Sequence, residues 1–216
     1  VVGTSTEPSN RQPGRLITLE GGEGAGKSTQ IATVADAIRA RGPEVVVTRE
    51  PGGTPLGESV RDVLMSEYET PMPAMSELLL MFAARAAHLS QLIEPALARG
   101  AWVVCDRFTD ASYAYQGAAR GLGENAVATL ERLVQGERRP DLVLWFDLPV
   151  ASGLERAKSR QNDNRFDHET LAFHEQVHAA YRARAAAHPE RYRQVDARRD
   201  PIDVQAQIAA ILASWP

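Results

Sequence analysis

The chain has 216 residues, 44% of them hydrophobic, and a net charge of −4, with 24 Lys and Arg against 28 Asp and Glu. Such a length favours one domain able to bury about 70% of its unfolded surface. The one cysteine, Cys105, excludes an internal disulfide, and the acidic balance argues against broad binding to a nucleic-acid polymer. No apolar run approaches the ~20 residues that cross a bilayer, and the first residues lack the basic-then-apolar layout of a secretion signal. No membrane partner and a cytoplasmic location are therefore expected.

Residues Val1–Gly14 are rich in Ser, Thr, Pro and Gly without periodicity, which predicts a disordered leader before a single domain over residues 15–216. The apolar run Leu16–Leu19 predicts a first strand. It leads into Gly21-Gly22-Glu23-Gly24-Ala25-Gly26-Lys27-Ser28, a G-x-x-x-x-G-K-S pattern at the end of a strand and the start of a helix. In that context the pattern forms a phosphate cradle. Glycines let successive N–H groups converge on one anion, and the helix N-terminus adds partial positive charge. Lys27 would reach the β- and γ-phosphates and Ser28 would ligate Mg²⁺. The chain has only two lysines, Lys27 and Lys158, so the match does not come from lysine abundance. Residues Gly21 to Thr29 are thus the expected nucleotide-binding segment.

After a helix over Thr29–Ala40, the strand Glu44–Thr48 opens into Thr48-Arg49-Glu50-Pro51-Gly52-Gly53-Thr54, where the Pro-Gly-Gly turn aims Arg49 at an anion or leaves it paired with Glu50. Helices follow over Leu56–Met65 and Ser76–Ala98. On the second, Phe82 and Arg85 share a face, a placement compatible with stacking on a base and bonding its carbonyl edge, or with ordinary core packing. The strand Trp102–Cys105 ends at Asp106-Arg107, a carboxylate able to hold Mg²⁺ beside a guanidinium able to neutralise phosphate. A helix over Ala126–Gln135 and a strand over Leu142–Phe146 come next. Past the helix Ser152–Arg160, a polar breaker at residues 161–164 is flanked by Arg156, Arg160 and Arg165, as in a flap over a transferring phosphoryl group or a solvated loop. The helix Leu171–Ala187 contains His174-Glu175-Gln176-Val177-His178, the zinc-hydrolase spacing, without a plausible third ligand downstream. The strand Tyr192–Val195 and helix Val204–Ala213 complete an alternation that predicts an α/β fold with a parallel sheet and helices on both faces.

The P-loop, the T-R-E-P-G-G-T turn, the F-A-A-R helix and the run D-R-F-x-D-A-S-Y-A-Y-Q-G from Asp106 to Gly117 occur in one order. Together they resemble bacterial thymidylate kinase, from about Arg15 to the C-terminus. The resemblance implies a P-loop nucleotide kinase fold with a five-stranded parallel sheet and a mobile lid at about residues 152–170. It also implies Mg-ATP as donor, dTMP as acceptor, and a homodimer. Carried onto this chain, Glu23 would accept the deoxyribose 3′-hydroxyl, and Arg49 and Arg107 would clamp the acceptor phosphate. Arg85 would face the thymine edge, with Ser112, Tyr115 and Gln116 lining the nucleoside pocket. The position after Glu23, where some members carry an arginine, is Gly24, so positive charge would come from Arg156, Arg160 and Arg165 in the lid. The stacking aromatic of many members falls at Met81. Either the ring of Phe82 reaches the base from one position later or Met81 packs there. Rival classes are another nucleotide or nucleoside kinase acting on dCMP or thymidine, a small GTPase, for which no N-K-x-D segment follows the P-loop, and the zinc hydrolase.

Overall fold

In the computed structural model, residues 14–158 and 165–216 are described. Five short strands, β1 (Leu16–Glu20), β2 (Val45–Arg49), β3 (Trp102–Asp106), β4 (Leu142–Asp147) and β5 (Tyr192–Asp196), form one parallel sheet in the order β2-β3-β1-β4-β5. Every strand anticipated from its apolar run is present. All pairs are parallel, with Leu19 opposite Asp106 and Leu144 across β1–β4. Alternate side chains supply two cores. Ile17, Leu19, Leu144 and Phe146 pack with Val34, Ile38, Ile208 and Leu212 of helices α1 (Lys27–Arg39) and α9 (Pro201–Ser214). Val143 and Trp145 face Phe173, Val177 and Tyr181 of α8 (Leu171–Ala187), and Leu16, Val103 and Cys105 face Leu89, Ile93 and Leu97. Burial on both faces is what helix-covered parallel sheets require. With the chain crossing over from β1 to β2 and on to β3, the sheet's carboxyl edge gathers the ends of β1, β2 and β3 at one crevice.

Two elements differ from expectation. The helix anticipated over Ser76–Ala98 is α3 (Ala74–His88), a π-helical turn over Leu89–Ile93 and α4 (Glu94–Ala98). Pro95 has no N–H to continue the ladder, and the chain widens ahead of it, with the Glu94 N–H donating to the Leu89 carbonyl. The D-R-F-T-D-A-S-Y-A-Y-Q-G run, to which the sequence pattern assigned no element, is helical beyond Phe108: α5 (Thr109–Ser112) continues as a π-helix over Tyr113–Ala119. Every residue from Thr109 to Gly117 is buried, so the segment has no polar face to betray its period.

The remaining helices are α2 (Pro55–Met65), α6 (Glu124–Gln135) and α7 (Val150–Lys158). Gly14, assigned to the leader, belongs to the domain. Its N–H donates to Leu97 at 3.1 Å, and a Cβ there would overlap the Ala101 carbonyl. The rest of the expected leader, residues 1–13, lies outside the described residues, as does Arg160 of the expected lid. Among the described residues, no helix is long and apolar enough to cross a membrane.

Candidate active site

The loop between β1 and α1 is built by its backbone. Gly24 and Gly26 take left-handed φ values of 69° and 85°, and a Cβ at Gly24 would overlap the Gly153 carbonyl of α7. Gly26 stands at the N-cap, so the first N–H groups of α1 open onto the crevice. Lys27 is buried and donates to the carbonyls of Gly21 and Gly22, both at 2.9 Å. Burial lowers its pKa to about 8, with Arg107 adding to the effect. Ser28 and Thr29 are exposed at the mouth.

The Ser28 hydroxyl lies 3.5 Å from Asp106 Oδ2, while Asp106 Oδ1 is buried without a hydrogen-bond partner. A hydroxyl beside one carboxylate with an unused oxygen suits a hard cation that keeps waters and phosphates as its other ligands. Among the described residues, no group of three His, Cys, Asp or Glu forms a complete metal site.

Arg107 joins this cradle to the next cavity. Its backbone is left-handed, φ 67°, the only non-glycine case among the described residues. Its guanidinium donates to the Gly21 carbonyl at 2.8 Å and to Glu23 Oε1 at 2.7 Å, and stands 4.9 Å from the centre of the Tyr115 ring. Tyr115 also donates to Glu23 Oε1, at 2.9 Å. Two residues absent from the sequence reading hold this arrangement. Buried Glu20 accepts the Phe108 N–H at 2.7 Å and the Tyr181 hydroxyl at 2.8 Å, and Arg107 reaches Tyr181 at 3.4 Å. Burial, with Asp110 nearby, pushes the Glu20 carboxyl up to about 8.

Beside Arg107 lies a cavity of about 110 Å³ lined by Glu23, Glu50, Pro51, Arg61, Met65, Met81, Ala111, Tyr115, Gln116 and Phe166. Of the residues singled out in the sequence, Glu23, Arg107, Tyr115 and Gln116 thus line one cavity. Phe82 does not: one residue is about 100° around a helix, so Met81 faces the cavity while Phe82 packs with Leu78, Tyr113 and Val127. Arg85 is buried behind the wall with its guanidinium 4.6 Å from the Phe82 ring centre. It donates to Glu50 at 2.7 Å and to the Ser112 hydroxyl at 3.2 Å. Glu50 also meets His88 Nδ1 at 2.9 Å, and His88 Nε2 meets Thr48 at 2.7 Å. Arg49 pairs with Glu58 rather than Glu50, at 2.8 Å, and is half exposed outside the cavity.

Arg61 is the cation that sequence reading overlooked. It reaches the cavity from α2 with NH1 on the Pro51 carbonyl at 2.9 Å. Burial and then Arg49 lower its pKa. Only its place on the helix following T-R-E-P-G-G-T hinted at it.

The arginines expected of a lid separate. Arg156 donates to the Ala197 carbonyl in the β5–α9 loop at 3.0 Å. Arg165 lies near the cavity beside Arg107, 2.8 Å from Glu77 and bonded to the Leu64 carbonyl. Phe166 packs edge-on to Tyr115 with ring centres 5.8 Å apart. Of the H-E-x-x-H pair, His178 bonds Asp147 at 2.7 Å and His174 is buried against Phe173.

Comparison with known proteins agrees with this geometry. The thymidylate kinase family pattern matches residues 19–208. A thymidylate kinase of Pseudomonas fluorescens is 57% identical over 199 residues, 92% of this chain and 95% of that protein. One of Teredinibacter turnerae is 51% identical over 202 residues, covering 94% and 98%. The crystal structure of thymidylate kinase from Ehrlichia chaffeensis superposes with a TM-score of 0.74 at 29% identity, over 93% of this chain and 99% of that one. A cradle for phosphate, a second cavity joined to it by one arginine, and likeness along nearly the whole length lead to one conclusion: this chain belongs to the thymidylate kinase family.

Proposed function

We propose that the chain transfers the γ-phosphoryl group of ATP to the 5′-phosphate of dTMP, giving dTDP and ADP, with the donor in the P-loop and the acceptor in the cavity beside Arg107. The observation that carries this reading is the Arg107 guanidinium, bonded to the P-loop at Gly21 and also lining the second cavity. A cation there touches phosphates arriving from both sides. The acceptor oxygen is already anionic near neutral pH, so the protein must align two anions and offset their charge rather than remove a proton. Lys27, Arg107 and the lid arginines supply charge, and Arg61 and Arg49 extend the positive surface toward the acceptor. When bound at Ser28 and Asp106, Mg²⁺ supplies further positive charge to the donor's phosphate oxygens. Glu23, held by Arg107 and Tyr115, is oriented to accept the sugar hydroxyl. Closure of the lid, about residues 152–170, would exclude the water that competes as acceptor.

The active form is a homodimer, supported by the exposed apolar side chains Leu56 and Val63 of α2, Met75 and Leu79 of α3 and Leu133 of α6. The free, buried Cys105 suits the reducing cytoplasm as the site of action. Turnover of a panel of nucleoside monophosphates with Mg-ATP tests the reaction: it should peak at dTMP, and a peak at any other acceptor overturns the substrate assignment.

A further inference from the structure

Glu77 sits one helical turn before Met81 on α3. Its side chain is fully buried, and phosphoryl transfer makes no use of it. Three donors converge on it. Gln116 Nε2 donates to Oε1 at 2.8 Å, Arg120 reaches both oxygens at 3.4 and 3.2 Å, and Arg165 lies 2.8 Å from Oε2. Glu169 also pairs with Arg120, so two guanidiniums and two carboxylates balance where the lid stem meets α3. Gln116 differs from the arginines because its two ends carry opposite hydrogen-bonding character. A carboxylate only accepts, so Nε2 must face Glu77. That leaves Oε1, buried and without a partner, as the atom Gln116 has left for the acceptor cavity it lines.

We propose that Glu77 is a positioning residue that sets the Gln116 amide with its carbonyl toward the acceptor cavity, so that the site takes a pyrimidine bearing a proton on N3 and rejects one whose N3 is a bare acceptor. Thymine is of the first kind and cytosine of the second. An amide free to turn would meet either base. One held by a buried carboxylate meets cytosine with two acceptors opposed, and neither is then satisfied. The inference rests on the cavity's being the acceptor-base site, and it adds the reason why a residue with two possible orientations can discriminate.

The test compares kcat/KM for dTMP and dCMP at saturating Mg-ATP in the parent protein, Glu77→Gln, Glu77→Asp and Gln116→Ala, with the KM for ATP as the control. In Glu77→Gln the arginines claim the remaining carbonyl oxygen and the new NH₂ turns toward Gln116, which reverses to accept it. The dTMP:dCMP ratio is expected to fall about 10-fold or more, with the KM for ATP unchanged. Glu77→Asp keeps the charge facing Arg120 and Arg165 while withdrawing from Gln116, which preserves the fold if the neutral variant is unstable; a smaller fall is expected. A ratio unchanged in the folded Glu77 variants, while Gln116→Ala lowers it, overturns the role of Glu77 alone. A ratio unchanged in Gln116→Ala overturns the reading of the cavity together with the inference.

Discussion

The phosphate cradle and the cavity proposed for the acceptor lie side by side, yet they are made of different materials. The cradle is main chain: glycines with positive φ, the open N-terminus of α1, and one lysine held by two loop carbonyls. The pocket is made largely of side chains from α2, α3, the segment after β3 and Phe166 ahead of α8. Behind it, a buried chain of polar contacts runs from Thr48 through His88, Glu50 and Arg85 to Ser112. A triphosphate is the same in every donor, so a local loop suffices for it. A base is told apart by its edge, and holding donors and acceptors along an edge takes groups locked by a second layer.

That contrast makes unequal predictions for the two regions. The largest effect is expected behind the pocket. Arg85→Met leaves Glu50 buried beside His88 without its guanidinium, in a pair only 1% and 2% exposed. Stability should fall by about 3–5 kcal/mol, read as a lower urea midpoint. Next comes the cradle, where Lys27→Ala should lower kcat about 10²–10³-fold and leave the urea midpoint almost unmoved, since the removed charge was itself costly to bury. If Lys27→Ala unfolds the protein and Arg85→Met does not, the division between the regions is broken. A milder step at the border is Tyr115→Phe. It removes one of the hydrogen bonds to Glu23, costs about 1 kcal/mol, and should raise the KM for dTMP several-fold without changing that for ATP.

The smallest effect is a proton count. Lys27 has its folded pKa near 8, below the 10.5 of the unfolded chain. The unfolded chain therefore binds more protons between those values, and stability gains from this group as pH rises across that window. A bound triphosphate restores the charged form. ATP binding at about pH 8.5 should then take up a fraction of a proton, measured by calorimetry in buffers of different ionisation heat. Uptake that persists undiminished in Lys27→Ala would assign it to another group.

Legibility followed the same line. The five strands, the helices around them and the loop from Gly21 to Ser28 were readable because β-branched runs, apolar periodicity and glycine spacing are local. The helix after Phe108 was not, since a segment buried on every side has no amphipathic period. Phe82 and Met81 are neighbours in sequence and occupy different environments because one residue turns a helix by about 100°. Glu20, Arg61 and Tyr181 carried no motif of their own; they matter because of where β1, α2 and α8 end up.

Sequence alone thus determined the strand–helix order, the phosphate cradle and the arginine after β3, because a parallel sheet brings its strand ends to one edge whatever covers its faces. Tertiary structure alone decided which side chains meet there: Met81 at the cavity with Phe82 in the core, Arg85 locked to Glu50, Arg165 against Glu77. The physical reason is range. Backbone conformation is set by a few adjacent residues, whereas a buried charge takes whatever partner packing brings within about 3 Å, and those partners lie 35 and 88 positions away for Arg85 and Arg165.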